Sequence, residues 1–358
     1  MREDQGSTTP LDLPAMEVPG SRRPFRRRIV RRLFGIAPGE TSFERRGFRW
    51  DSEAVRQRLE GVASRFVEGY HSALEEPTTE DLAARLGEIP AEVSGFAFEG
   101  AGMALALLDT LTPWRSERRL DAFLRGPGDP HNYLVHVGAG WILARLPLTP
   151  GRLLARLDPV LGWLALDGYG FHEGFFHPGR TVARHEVPAK VRGYARRAFD
   201  QGIGRSLWFV EGAGAQRLKT TISSFPTDRQ GDVWSGTGLA CAYAGGADRA
   251  TVEELAAFSG GHLQQFAQGI AFAAGARHRA GNLAPQTETA CQAVWGLDAT
   301  SVSEMVVDLS HDLIDPVPPL PSPLPRSGGE GVPSGTAEPA YETWRRRIQQ
   351  QLSERKTS

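Results

Sequence analysis

The sequence predicts an all-α fold. It is read as tandem helical hairpins of about 34 residues forming a solenoid or an α/α-toroid-like body, and three observations carry this reading. Residues 40–313 show almost no alternation of apolar and polar positions, and Ala/Leu/Arg-rich stretches are broken by Gly and Pro. Seven segments, VEGYHSAL, FEGAGMALAL, HVGAGWILARL, LDGYGFHEGFF, DQGIGRSLWFV, WSGTGLACAYAG and AQGIAFAAGA, align on Gly69, Gly100, Gly138, Gly168, Gly202, Gly236 and Gly269. Their spacings are 31, 38, 30, 34, 34 and 33 residues. Between them, TTEDLAARLG, WRSERRLDAFLRG, GRLLARLDPVLGWLA, PAKVRGYARRAFD and ATVEELAAFSGG read as partner helices. The aligned glycines are expected to let helix backbones approach closely, with larger residues filling the gaps between layers.

In chain order, residues 1–24 are polar and Pro/Gly-punctuated and read as a disordered segment. The helical domain is expected over 25–314. It opens on RRPFRRRIVRRLFG, where Arg22, Arg23, Arg26, Arg27, Arg28, Arg31 and Arg32 interleave with Phe25, Ile29, Val30, Leu33 and Phe34 on one face. Such a basic amphipathic helix suits an anionic membrane surface or an acidic partner, or packs on the body with its arginines solvated. Thr78 with Asp81 and Thr251 with Glu254 have capping-pair offsets, and Asp232 is placed to cap a helix starting near Val233. Residues 315–338 are Pro/Gly/Ser-rich and read as a linker, followed over 339–358 by a C-terminal helix with Tyr341, Trp344, Ile348 and Leu352 on one stripe.

Composition narrows the function. A net charge of −1 over 358 residues gives no global attraction for nucleic acid, and nucleic-acid motifs are absent. The only cysteines, Cys241 and Cys291, lie in apolar contexts and read as buried free thiols of a reducing, cytoplasmic compartment, with a peripheral inner-membrane association open through the basic helix. No run approaches the 18 or so consecutive apolar residues of a spanning helix. A Walker loop, a nucleophile elbow and a cysteine pair at metal spacing are all missing.

Two constellations remain. In GYGFHEGFFHP, His172, Glu173 and His177 resemble a zinc-protease signature, but the histidines stand at i and i+5, about 140° apart on a helix rather than one turn apart. They would converge only if Gly174 broke the helix, so no metal is assigned and the imidazoles read as hydrogen-bonded structural groups. Glu68, Glu99, Asp167, Gln201, Ser235 and Gln268 each precede an aligned glycine, Val137 being the exception. They read either as helix caps or as a ring of polar groups around a shared cavity. In the second reading Trp141, Phe171, Phe175, Trp208 and Trp234 bind an apolar, unsaturated ligand. The candidate catalytic groups are then Glu99, Asp167, His172, Glu173 and His177, an acid protonating an alkene while aromatic faces steady the cation. No cofactor is indicated.

The blocks FEGAGMALALLD, HVGAGWILARLP, DGYGFHEGFF, FDQGIGRSLWF, FPTDRQGDVWSGTGLACAYAGG and AQGIAFAAGARHRAGN, taken in order, resemble the DUF1702 family, from FRRRIVRRLFGI to ETACQAVWGL. That resemblance implies a place beside enediyne polyketide synthases in bacterial gene clusters. It also implies a role in forming or maturing a polyene-derived metabolite, alongside a membrane protein. It brings no catalytic residues. An enzyme-like polyene-binding protein, an acid-initiated polyene or isoprenoid cyclase, and a non-enzymatic scaffold docking a membrane partner through the basic helix are the three functions in play.

Overall fold

The computed structural model describes residues 31–76, 78–313 and 338–357. The expectations for residues 1–24, for Arg22, Arg23, Arg26, Arg27 and Arg28, and for nearly all of the Pro-rich stretch lie outside them. Arg31 and Arg32 are exposed, and Arg31 is ion-paired with Glu75. The described residues are helical and contain no strand.

Each aligned glycine sits in a helix of its own: α1 (Glu53–Glu75), α2 (Ala91–Leu111), α3 (Asn132–Gly140), α4 (Leu164–Phe176), α5 (Ala195–Val210), α6 (Thr227–Ala244) and α7 (Leu263–Arg279). Consecutive members of this series pack on one another. A Cβ at Gly138, Gly168, Gly202, Gly236 or Gly269 would fall 1.7–1.9 Å from the carbonyl oxygen of Glu99, Val137, Asp167, Gln201 or Ser235. In every case that oxygen belongs to the residue preceding the glycine of the helix before. Two residues on, Gly140, Gly170, Gly204 and Gly238 press on the next helix, at Ala165, Phe199, Val233 and Phe266. Helix backbones therefore touch with nothing between them, a separation no residue with a Cβ permits.

The intervening segments are less regular. Thr79–Gly87 and Arg249–Ser259 are helices as expected, and Arg119–Leu124 and Pro150–Leu154 are short ones. PAKVRGYARRAFD makes turns that lead into α5, whereas Ala215–Ser223, between α5 and α6, is a helix the glycine alignment left unassigned. Thr78 caps its helix by accepting from the Asp81 N–H. The other two capping expectations are corrected. Asp248, not Thr251, caps Arg249–Ser259, because the chain enters that helix three residues earlier. Asp232 lies inside α6, buried and ion-paired.

After Ala299–Asp308, which packs on α7, the described chain resumes in α8 (Ala340–Thr357). Tyr341, Trp344, Arg345, Ile348 and Leu352 of α8 are all buried. Trp344 stacks on Tyr133 of α3 and packs at a tilt on Phe272 of α7, so α8 lies within the body. Cys241 and Cys291 are buried free thiols. Among the described residues α2 alone is long and apolar enough to cross a membrane, although polar residues interrupt its apolar run. Most of it, 78% of the apolar window, is buried inside the fold.

Candidate functional site

The residues that precede the glycines do not cap helices. Glu99, Gln201, Ser235 and Gln268 lie well inside theirs, and from α4 onward their side chains form a buried row across neighbouring helices. Gln201 Nε2 donates to Asp167 Oδ2 at 2.8 Å and also lies 3.0 Å from the Tyr341 hydroxyl. Ser235 Oγ is 3.3 Å from Gln201 Oε1 and donates to Gln268 Oε1 at 2.9 Å. Arg345 of α8 closes the row, donating from Nε to Gln268 Oε1 at 3.2 Å and from Nη2 to Asp232 Oδ1 at 2.6 Å. Arg345 also bonds Glu342, and Arg197 binds both Asp232 and Glu342; with Arg346 near Glu342, Asp232 has two cations and Glu342 three. Glu68 sits apart near the surface with Arg65.

Arg205 carries the row to Glu99. One turn beyond Gln201 on α5, it donates from Nη1 to Asp167 Oδ1 at 2.5 Å and from Nη2 to Glu99 Oε2 at 3.3 Å. All three side chains are buried. Flanking acids raise the Arg205 pKa despite burial, so it stays a cation. Glu99 differs. Burial pushes its carboxyl up to about 7, and the Arg205 charge only partly opposes this. The missed residue, Arg205, was legible as the one cation of the apolar stretch QGIGRSLWFV, at i+4 from the pre-glycine Gln201, which puts it on the same face.

On its other side Glu99 borders a largely apolar cavity walled by Phe66, Phe96, Trp141, Phe171, Phe175 and Phe209, with Ile36, Glu40 and Thr41 contributed by an N-terminal strap, residues 36–41. Phe66 stacks on Trp141 at 4.1 Å between ring centres, and Phe171 meets Phe209 edge-on at 5.4 Å. The buried Trp141 indole N–H faces the Glu99 carboxyl, a contact that weakly opposes the rise in its pKa. Free space is about 40 Å³, room for a water molecule. Across Ile36, Thr41 and Val67 lies an open surface cleft of about 530 Å³, edged by Arg31, Arg85 and His71.

The structure thus brings Glu99, Trp141, Phe171 and Phe175 together. Asp167 is set back behind Arg205. Trp208 and Trp234 are not on the cavity: Trp208 donates to the Gly245 carbonyl, and Trp234 packs on Phe266. His172, Glu173 and His177 do converge, on the far side of the Trp141–Phe176 wall. His172 lies edge-on to Trp141 at 5.4 Å and 4.7 Å from the Phe176 ring. The angular objection fails because α4 ends at Phe176, before Pro178, and not at Gly174, so His177 leaves the helix and folds back to Glu173.

This geometry sits inside a match to a known family that extends almost from end to end. The chain belongs to the DUF1702 family. The match, to proteins of unknown function, covers residues 25–352 and so takes in most of α8, beyond the ETACQAVWGL block where the sequence resemblance stops. Comparison with curated proteins and with solved structures finds no match.

Proposed function

We propose that this DUF1702 protein binds a hydrophobic polyene and assists its cyclisation or maturation, with Glu99 as proton donor. One observation carries the reading: a buried carboxyl with its pKa raised toward neutrality faces a cavity walled mainly by aromatic and aliphatic side chains, with Glu40 and Thr41 at its edge. In the cyclase form of the reaction, the Glu99 proton adds to a terminal alkene carbon. The π pair forms the new C–H bond, and the cation left behind is held against the Trp141 and Phe171 faces. The π pair of a second alkene attacks that cation, closing the ring C–C bond and moving the charge to its far carbon, and loss of a proton from there to the Glu99 carboxylate restores the acid, so no co-reactant is consumed. Arg205 holds Glu99 in place and Asp167 holds Arg205; both are positioning residues.

A cavity of about 40 Å³ does not hold a polyene, so the reading requires the strap around Ile36–Thr41 to move and join the cavity to the surface cleft. We read α1–α7 as tandem units of about 34 residues wound about a common axis, the repeated glycine contacts being the support. The setting is bacterial secondary metabolism of the enediyne type, at the cytoplasmic side of the membrane, where the basic N-terminal segment would meet a membrane partner. The test uses purified full chain incubated with linear polyenes and read by mass spectrometry. Glu99→Gln is expected to retain ligand and to lose product. Unchanged product in Glu99→Gln, or no ligand retained by the wild type, overturns it.

A further inference from the structure

The end of α4 carries a second constellation that the proposed reaction does not use. His172 Nδ1 lies 3.2 Å from Glu173 Oε1 and His177 Nδ1 lies 3.4 Å from Glu173 Oε2, and one ligand atom from each residue falls within 4.8 Å of the others. Metal bonds of 2.0–2.1 Å at tetrahedral angles put neighbouring ligands about 3.3–3.4 Å apart, close to these two separations. His172 and Glu173 are buried, whereas the His177 side chain is 46% exposed. Two of the three donors are therefore fixed in the core, and the third stands at the water boundary.

The turn that makes this possible is itself held. His177 follows the last helical residue, Pro178 prevents α4 from continuing, and the Thr181 hydroxyl lies 3.2 Å from both the Glu173 and the His177 carbonyl oxygens. The Phe176 ring lies over His172 on one side and beneath the Arg46 guanidinium on the other, and Trp141 closes the inner face.

We propose that His172, Glu173 and His177 form a binding site for a divalent transition ion of the zinc, iron(II) or cobalt(II) class, with a coordination position left to water on the His177 side. Two imidazoles and one carboxylate select such ions over calcium or magnesium, which require more oxygen ligands. Three protein ligands with one position open is the ligand count of reactive rather than purely structural zinc sites. The site stands independently of polyene binding.

The experiment titrates untagged, chelator-stripped full chain with zinc(II) by calorimetry and with cobalt(II) by visible absorption. About one equivalent is expected to bind per chain, with the intense visible bands of tetrahedral cobalt. His177→Ala, at an exposed position, is expected to keep the wild-type circular dichroism and melting curve while weakening binding by about tenfold or more. Glu173→Gln is expected to do the same to binding. Absence of saturable binding by the wild type, or unchanged affinity in a folded His177→Ala protein, overturns the site.

Discussion

Asp167 and Glu99 occupy equivalent places, each immediately before the aligned glycine of its helix, and the same arginine binds both. Yet Asp167 is one link in a hydrogen-bonded row covered by α8. Glu99 has Arg205 on one side and an aromatic cavity on the other. The difference lies in what covers each position. Where α8 supplies Tyr341 and Arg345, every carboxylate has several partners; where the N-terminal strap supplies Ile36 and Thr41, a carboxyl is left with a single cation, shared with Asp167, and burial dominates its proton affinity. Equivalent positions thus carry a shared ionic network at one end of the row and a carboxyl of raised proton affinity at the other.

The largest expected effect comes from the residue that joins the two regions. Arg205→Met leaves Asp167 and Glu99 buried without their cation, and a loss of about 3–5 kcal/mol is expected in urea unfolding. Arg345→Met sharpens the contrast: Arg197 still reaches both Asp232 and Glu342, so its loss should be clearly smaller than that of Arg205→Met in the same assay. Equal losses would show that the redundancy of cations under α8 has no energetic meaning.

The backbone contacts form the next tier. Gly236→Ala places a Cβ 1.7 Å from the Gln201 carbonyl oxygen and is expected to destabilise by about 2–3 kcal/mol. Gly61→Ala, in α1 with nothing within 4 Å, should instead stabilise by about 0.5–1 kcal/mol. Similar outcomes at the two positions would refute the close-approach account.

The last prediction concerns pH. The Glu99 carboxyl is raised from 4.5 to about 7 on folding, so the folded state binds the extra proton between those values. The stability this group contributes is present at low pH and declines as pH rises through that window. Buried histidines act in the opposite sense: burial lowers His131 to about 4 and lowers His136 and His172, so they disfavour the folded state as pH falls. The measurement is therefore the difference between unfolding curves of wild type and Glu99→Gln across that range. A wild-type excess that shrinks toward neutral pH is expected, and a flat difference would return Glu99 to the ordinary carboxylates.

The sequence makes the helical class plain, because glycines at near-constant spacing and the absence of alternating patterns are local properties. Glu99, Trp141, Phe171 and Phe175 were legible as neighbours because they hold related places in successive units. The use of Arg205 and Arg345 was not, since an arginine in an apolar stretch, or one of three in a row, does not name its partner. Helical-wheel geometry misjudged His177 because it assumes a continuing helix, and Pro178 was the local mark against that. Trp208 and Trp234 look like cavity aromatics in sequence, yet Trp208 spends its indole N–H on a backbone carbonyl and Trp234 packs on Phe266.

The position of α8 also bears on how the protein is made. Asp232 and Gln268 receive Arg345 only once that residue, 77 or more positions further along the chain, has been made and α8 has docked. Until then the polar face of α4–α7 stays open to water, so the interior closes after those helices are already in place. A nascent chain stalled before residue 340 would be expected to hold that face exposed to proteases and chaperones.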